Sequence, residues 1–303
     1  MGTHGDALVA TVSLDSLNAG DAAGFVAALG EVYEHAPWVA QAASAQRPFA
    51  SLAALHEAMI AVVRNAPAER RMALLRGHPD LAGKAARAGT TTAASQAEQA
   101  GVGLDRLFDD EFAAFHRLNS AYWSRFGFPF ILCVRRHGKD SILRQFERRL
   151  ANDAAAECET ALAEIFRIVA LRLDQRVTAA DKLPVHGHLS THVLDTYSGT
   201  AAAGVCIELS EMPARGEPRL IARALTNRDG RSNEPLIHAR PLPIANYRLT
   251  FRMGDYFARL GAARADPPFL DVLPVEFAIA EPEGHYHIPL LVTPWSYSTY
   301  RGS

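Results

Sequence analysis

The sequence predicts two domains of different class, an all-α domain at residues 1–178 and a β-sandwich at residues 179–303. Up to about residue 178 the apolar residues recur every three or four positions, which is the spacing of one helix face. Beyond that point apolar and polar residues alternate, as in strands that are buried on one side. The length of 303 residues also suits two domains of ordinary size.

Three stretches carry the strongest helical pattern. DDEFAAFHRLNSAYWSRFG predicts a helix that begins at Asp109 or Asp110 and ends at Gly127. KDSILRQFERRL predicts a second helix that begins at Asp140, and AAAECETALAEIFRIVALRLDQRV predicts a third. Alanine is abundant throughout this region and favours helix. We expect seven or eight helices before residue 178.

Short strands and turns dominate the second region. NYRLTFRM alternates Tyr247, Leu249, Phe251 and Met253 with polar residues, and GVCIEL and VEFAIA alternate in the same way. TNRDGRSN contains an Asp-Gly turn between extended segments. GDYFARLGAA has the pattern of a helix. Together these features predict a β-sandwich that one helix interrupts.

Charge and composition favour a small-molecule role. The 31 Lys and Arg residues nearly balance the 33 Asp and Glu residues, so we expect neither nucleic acid nor a membrane as partner. The three cysteines form no CxxC pair, which is typical of a reducing compartment, and Cys206 is expected to be a buried structural thiol. No run of about 18 apolar residues and no signal-peptide pattern occurs. We therefore expect a cytoplasmic protein.

Histidines share one face on each of two predicted strands. In HLSTHVLDT these are His188 and His192, and in GHYHIPLL they are His285 and His287. Two such histidine pairs at strand spacing are compatible with zinc ligands. No cysteine or clear carboxylate completes a ligand set, so a metal-free polar groove is the favoured interpretation and a zinc site the alternative.

These strands resemble the transthyretin-related 5-hydroxyisourate hydrolases. The resemblance rests on HLSTHVLDT, TNRDGR, GHYHIPLLVTPWSYST and YRGS and covers residues 184–303. It implies a transthyretin-like β-sandwich that forms a homotetramer and needs neither metal nor cofactor. The catalytic residues that it implies are His192, Arg231, His287, Tyr300, Arg301 and Ser303. Gly302 is implied as a substrate-binding residue, and the roles of His188 and His285 stay open.

The residue types suit the opening of a ring at an acyl–nitrogen bond. That reaction needs a base for water, a donor for the oxyanion and an acid for the leaving nitrogen. Histidine serves as base or acid near neutral pH, and arginine binds the oxygens of a planar substrate. Two alternatives remain, a transthyretin-like carrier of a small ligand and a zinc-dependent cyclic amidohydrolase. The YRGS ending argues against the carrier.

Two segments of the all-α region carry polar residues of interest. GHPDLAG contains His78 before a proline, and SQAEQAGVGL places Ser95 and Glu98 three residues apart, which is also ordinary capping-box spacing. Together with PWVA, LNSAYWSRFGFPFILCV, ILRQFERRLAND and ALRL, these segments resemble the 2-oxo-4-hydroxy-4-carboxy-5-ureidoimidazoline (OHCU) decarboxylases over residues 12–176.

This second resemblance implies an all-helical decarboxylase without a cofactor, with His78 as the central catalytic residue and Glu98 as its catalytic partner. The substrate-binding residues that it implies are Pro79, Ser95, Gln99, Phe130, Ile131 and Arg172. A carboxylate beside His78 would favour the imidazolium, which could stabilise the anion left after loss of CO2. The two resemblances imply consecutive steps of urate degradation, from 5-hydroxyisourate to OHCU and then to (S)-allantoin.

Overall fold

The computed structural model describes residues 11–82, 92–104, 107–262 and 265–302. The chain divides into two compact units, one of Met1–Arg135 and Ile142–Val185 and the other of Arg136–Ser141 and His186–Ser303. The limits at residues 178 and 179 stay a prediction for the functional domains.

Helices form most of the chain before residue 177. In chain order they are α1 Leu14–Ala19, α2 Ala22–Leu29, α3 Pro37–Ser44, α4 Leu52–Arg64, α5 Ala68–Arg76, α6 Ala93–Gly101, α7 Asp109–Phe126, α8 Lys139–Arg149 and α9 Ala154–Arg176. These nine helices of the described ranges exceed the seven or eight predicted, because helices as short as the six to eight residues of α1 to α3 show too few turns for a clear periodicity. No helix in those ranges is long and apolar enough to cross a membrane.

The long helices begin and end close to where the sequence predicts. Helix α7 runs from Asp109 to Phe126, and Gly127 follows it with φ 72°, the left-handed conformation that commonly ends a helix. Helix α8 begins one residue before the predicted Asp140. The apolar face of α7 is buried at Phe115 and Tyr122.

An ion pair is buried in the core of the helical unit. Arg149 and Glu157 are both almost fully buried and bonded to each other, and Tyr122 donates a hydrogen bond to Glu157. Arg149 Nη1 also donates to the carbonyl oxygen of Ile131 at 2.7 Å. Since buried charges are stable only when paired, this network is a rigid support for the backbone around Ile131.

The described residues after 186 form strands and one helix. After the short pair β1 Val12–Ser13 and β2 Val177–Thr178 of the helical unit, the strands are β3 Gly187–Asp195, β4 Thr200–Ala201, β5 Cys206–Glu211, β6 Arg219–Leu225, β7 Ile237–Arg240, β8 Ala245–Arg252, β9 Val272–Ile279, β10 His285–Val292 and β11 Tyr297–Thr299, with α10 Met253–Arg259. One sheet has the order β11-β10-β3-β4, with β7 also on β3, and the other has the order β6-β5-β8-β9.

The two sheets form a β-sandwich, as predicted. Their inner faces contribute to one apolar cluster that includes Leu189, Ile207, Phe251 and Leu290. Residues on the other side of each strand are less buried, and in β3 this outer set includes His188 and His192. The strand period of two therefore assigns the histidines to a different face from the core.

Two details of the predicted strands are wrong. Met253 is buried but begins helix α10, so the alternating segment ends one residue earlier, at Arg252. Cys206 is only half-buried, because the alternation of β5 turns Ile207 and Leu209 into the core and leaves Cys206 on the opposite face.

Candidate active sites

A small pocket lies inside the helical unit. All eight residues that the sequence predicts for this site line the pocket: His78, Pro79, Ser95, Glu98, Gln99, Phe130, Ile131 and Arg172. Four apolar residues complete the lining: Leu81, Leu132, Val134 and Ile168. Its volume is about 30 Å³.

Arg172 of α9 is the most strongly bound side chain of this pocket. Its Nε and Nη2 each donate to one carboxylate oxygen of Glu98 at 3.0 Å. Its Nη1 donates to Glu34 at 3.1 Å and to the carbonyl oxygen of Val32 at 3.2 Å. A guanidinium held by two carboxylates has a fixed orientation, which suits it to recognise planar oxygen groups.

Glu34 is a residue of this site that the sequence analysis missed. It is 3% exposed and accepts hydrogen bonds from Thr92 at 2.5 Å and from Ser95 at 3.2 Å. Burial alone would raise the pKa of Glu34, but the Thr92 hydroxyl and the Arg172 charge outweigh burial and hold the pKa below its usual range. Glu34 lies between α2 and α3, where no periodic pattern marks it, and only its closeness to Arg172 identifies it.

His78 is neutral in this pocket. Its Nδ1 lies 3.0 Å from the carbonyl oxygen of Leu74, so Nδ1 carries the proton and Nε2 the lone pair. Burial lowers the pKa of His78 to about 4, although the Glu34 charge acts in the opposite direction. Burial thus disfavours the expected imidazolium, and Glu98 is paired with Arg172 and not with His78.

The turn after His78 is held by two amide side chains. The Gln99 oxygen accepts from the Ala82 N–H at 3.0 Å, and Asn119 donates to the Leu81 carbonyl oxygen at 2.8 Å. Ala82 has φ 51°, and His35, next to Glu34, has the same value. Left-handed backbone at non-glycine residues is strained, and such strain concentrates at functional sites. The turn and the loop at Glu34 are thus both held in unfavourable conformations beside the pocket.

A larger groove of about 380 Å³ lies in the β-sandwich unit. Strands β3 and β10 pair in parallel, so that His188 lies opposite His285 and Ser190 opposite His287. These four residues line the groove together with Thr191, Arg231, Ser232, Asn233 and Pro235. The structure therefore brings together three of the four histidines of the two predicted pairs, and His192 is the one that does not line the groove.

The groove histidines make two side-chain contacts across the strands. The rings of His188 and His285 meet edge to face with centroids 4.6 Å apart, and His287 Nδ1 lies 3.0 Å from the Ser190 hydroxyl. Within the described ranges no group of three or more His, Cys, Asp or Glu side chains is arranged to hold a metal ion.

Arg231 reaches the groove from the RDG turn. Gly230 has φ 71°, and its carbonyl oxygen accepts from the Val193 N–H at 2.8 Å. A Cβ on Gly230 would lie 2.3 Å from the Val193 carbonyl oxygen and 3.2 Å from the His192 ring. This close approach forms the bridge that pairs His192 with Arg231 and places the arginine beside the histidine.

The segment after β11 lies partly at the groove. The Gly302 N–H donates to the His287 carbonyl oxygen at 2.7 Å, and a Cβ on Gly302 would lie 3.0 Å from the His287 ring. Arg301 stacks over the Tyr286 ring at 4.4 Å and pairs with Glu281 at 3.3 Å.

Arg301 and Tyr300 are thus both exposed and outside the set of lining residues, and Ser303 lies outside the described residues. Of the three described residues of the predicted closing tetrapeptide, only Gly302 is brought against a groove histidine within one chain.

Three histidines in or beside the groove, His188, His192 and His287, have lowered pKa values. Burial is the main cause for His188, His192 and His287. The neighbouring Arg231 charge lowers the pKa of His192 and His287 further. These imidazoles are therefore neutral at pH 7 and able to accept a proton.

Comparison with known proteins assigns each site to a family. The family model for OHCU decarboxylase matches residues 18–174, and the model for the HIUase/transthyretin family matches residues 189–302. The OHCU decarboxylase of Haloferax volcanii is 42% identical over 168 residues, which are 55% of this chain and 98% of that protein. The 5-hydroxyisourate hydrolase of Deinococcus radiodurans is 51% identical over 119 residues, 39% of this chain and 98% of that protein. The chain belongs to both families.

A solved structure combines similarity to both parts. The crystal structure of (S)-allantoin synthase is 33% identical, with a TM-score of 0.51, and the match covers 96% of this chain and 100% of that chain. The pocket around His78 lies in the OHCU decarboxylase part, and the groove around His287 lies in the HIUase/transthyretin part.

The close approach at Gly230 predicts a strong effect of Gly230→Ala in the HIUase/transthyretin part. The added Cβ would collide with the Val193 backbone, so Arg231 and His192 must separate. We expect a lower melting temperature and at least about a tenfold loss of kcat/KM for 5-hydroxyisourate, equal to about 1.4 kcal/mol in the barrier. Steady-state kinetics and thermal unfolding measure both.

Gly199→Ala is the matched control for this substitution. Gly199 also has positive φ, 74°, but a Cβ there meets nothing within 4 Å. It carries the same backbone strain without the collision and should keep nearly full activity. Equal losses in the two variants would show that strain alone, and not the approach to Val193, matters at Gly230.

Proposed function

We propose that this chain catalyses two consecutive steps of urate degradation. The groove opens 5-hydroxyisourate to OHCU, and the helical pocket decarboxylates OHCU to (S)-allantoin. We assign the first step to residues 179–303 and the second to residues 1–178. The observation that carries the proposal is that each family region contains its own cavity, lined by the acid–base and cationic side chains that its reaction requires.

In the groove, a neutral histidine activates water. His287 accepts the proton of the attacking water, and the Ser190 hydroxyl on its other nitrogen orients the ring. The Arg231 cation stabilises the negative charge that develops on the carbonyl oxygen. When the carbon–nitrogen bond breaks, the His287 imidazolium returns the proton to the leaving nitrogen. His192, beside Arg231, keeps the guanidinium and substrate in place.

In the helical pocket, decarboxylation requires an acceptor for the electron pair of the broken carbon–CO2 bond and a group that transfers a proton. As the bond to CO2 breaks, its electrons form a double bond between the two ring carbons. The electron pair of the adjacent carbon–nitrogen double bond moves to the ring nitrogen, which takes a proton from solvent water. His78 Nε2 accepts the proton of the 4-hydroxyl group and returns it to the ring carbon that bears the ureido group. Delivery from one fixed nitrogen sets the configuration of the product. Arg172 binds substrate oxygens, and Ser95, Gln99 and the backbone of Phe130 and Ile131 surround the ring.

A turnover assay with the whole chain tests this proposal. Freshly generated 5-hydroxyisourate should disappear faster than it does spontaneously, and circular dichroism should report the formation of (S)-allantoin. Binding without turnover would support a transthyretin-like carrier instead. Loss of ring opening with a chelator, together with stoichiometric zinc in the purified protein, would support the zinc-dependent amidohydrolase.

The ring-opening activity should depend on pH in a defined direction. The pKa values of His192 and His287 lie below their usual value of 6.5, so both are neutral at pH 7 and become charged only as the pH falls. We expect kcat/KM to be constant above pH 6.5 and to decrease below it. A pH profile at constant ionic strength measures this, and a decrease that already begins above pH 7 on acidification would contradict the neutral-histidine mechanism.

We also propose a cytoplasmic homotetramer that assembles through the β-sandwich. Strand β11 is an edge strand, and Trp295, Tyr297 and Tyr300 are exposed on and beside it. An exposed apolar sheet edge favours pairing with another subunit. Such an assembly is the setting in which we propose that Tyr300, Arg301 and Ser303 act at a groove. Light scattering on the purified chain measures the subunit number.

A further inference from the structure

Glu34 holds together the groups that shape the helical pocket, although it does not line that pocket itself. One carboxylate oxygen accepts from Thr92, whose side chain also caps the N-terminus of α6. The other accepts from the Ser95 hydroxyl and from Arg172 Nη1. Both oxygens are thus engaged, and Glu34 connects the first turn of α6 to the guanidinium on α9.

The two carboxylates on Arg172 differ in access to the cavity. The Glu98 side chain is 16% exposed and lines the pocket, whereas the Glu34 side chain is 1% exposed and lies behind it. A substrate oxygen that approaches Arg172 through the pocket therefore competes with Glu98 and not with Glu34.

The sharing of Arg172 by two carboxylates makes this competition necessary. Both Glu34 and Glu98 are paired with Arg172, and burial lowers the pKa of His78 to about 4. A substrate that brings its own carboxylate cannot share Arg172 with both glutamates at full strength. One carboxylate must yield while the other keeps the guanidinium in place, because a buried charge that loses all its partners is strongly destabilised.

We propose that Glu34 is a positioning residue of the decarboxylase site, and that it remains bonded to Arg172 and Ser95 while the substrate displaces Glu98. This inference rests on the proposed decarboxylation at this pocket and extends it, because it assigns different tasks to the two glutamates. Glu98 is the exchangeable partner of Arg172, and Glu34 is the permanent one.

Glu34→Gln in the full chain tests the proposal. The substitution preserves shape but removes the charge that orients Arg172. We expect KM for OHCU to rise at least about tenfold with a smaller change in kcat, since Arg172 and Ser95 bind substrate before the chemical step. Ring opening of 5-hydroxyisourate by the same samples should be unchanged. The matched control is Glu31→Gln, because Glu31 is exposed in the same loop and should leave both activities at wild-type values.

A second measurement separates positioning from a purely structural role. The Glu34 charge raises the pKa of His78, so an NMR titration of the substrate-free chain should show a lower His78 pKa in Glu34→Gln than in wild type. If Glu34→Gln folds poorly, Glu34→Asp keeps the charge with a shorter reach and should raise KM while leaving the His78 pKa close to wild type.

Two outcomes would overturn the proposal: unchanged KM and His78 pKa in Glu34→Gln, or a lower melting temperature as the only change. Failure of the proposed function is distinguishable from both, because wild type itself would then form no (S)-allantoin.

Discussion

His78→Ala is expected to lower kcat/KM for OHCU decarboxylation by about a thousandfold and to leave ring opening of 5-hydroxyisourate unchanged. The structure supplies the reason, because Nδ1 is bonded to the Leu74 carbonyl oxygen and Nε2 is the nitrogen with a lone pair in the pocket. Loss of a positioned acid–base group typically costs about 10²- to 10⁴-fold in rate. Circular dichroism measures (S)-allantoin formation, and the ultraviolet absorbance of 5-hydroxyisourate measures ring opening.

Two further variants make this result specific. His78→Asn retains an N–H that can donate to the Leu74 carbonyl oxygen but has no equivalent of the Nε2 base, so it should be as inactive as His78→Ala while keeping the melting temperature nearer to wild type. His116→Ala removes an exposed histidine of α7 and should change nothing. Stereospecific decarboxylation at the wild-type rate in His78→Ala would refute the assigned site.

His287→Ala is expected to impair ring opening and not decarboxylation, the reverse of His78→Ala. It should slow ring opening by at least about a hundredfold and leave decarboxylation of added OHCU at the wild-type rate. In the groove, the His287 ring is hydrogen-bonded to the Ser190 hydroxyl through Nδ1. The His287 backbone carbonyl oxygen accepts a hydrogen bond from the Gly302 N–H. Rapid-mixing absorbance kinetics measure the first step, since spontaneous ring opening contributes at longer times.

Ser190→Ala and His238→Ala test the cause of that loss. If Ser190 only orients the imidazole, its removal should reduce the rate less than the loss of His287 does. His238 is an exposed histidine of β7 outside the lining of the groove, and its removal should have little effect. Equal losses in His238→Ala and His287→Ala would indicate a general effect on folding and would contradict a proton-transfer role for His287.

The opposite selectivity of these variants has a structural basis. Every lining residue of the pocket belongs to the helical unit, and every lining residue of the groove belongs to the β-sandwich unit. A substitution in either cavity thus disturbs side chains of its own unit.

Much of the fold was predictable because it depends on local periodicity. Helix α7 was predicted to within one residue at its start, since Gly127 stops it and its apolar residues recur at helical spacing. The faces of β3 and β10 followed from strand alternation, so His188 and His192 were expected on one side and Leu189 and Val193 on the other. Cys206 and Met253 were misassigned because alternation does not say which face is inward or where a strand gives way to a helix.

The partners of the charged residues were not predictable in the same way. Glu34 and Arg172 are 138 residues apart in sequence, and Glu98 and Arg172 are 74 apart. Sequence motifs indicated that Glu98 and Arg172 belong to one site, but not that they bind each other. For Arg301, the motif suggested a charge at the groove, and the fold pairs it with Glu281.

The sequence by itself determined the two domain classes and the faces of the strands, because periodicity is a local property of the chain. The family resemblance also indicated eight residues that line the helical pocket, whereas of the described residues predicted to be catalytic in the groove only Arg231 and His287 line it. Only the tertiary structure decided the protonation of His78, the partner of Glu98 and the place of Glu34. A pKa depends on how far packing removes a group from water and on which charges come within a few ångströms. Both quantities arise when segments distant in sequence, here the loop at Glu34, α6 and α9, meet around one pocket.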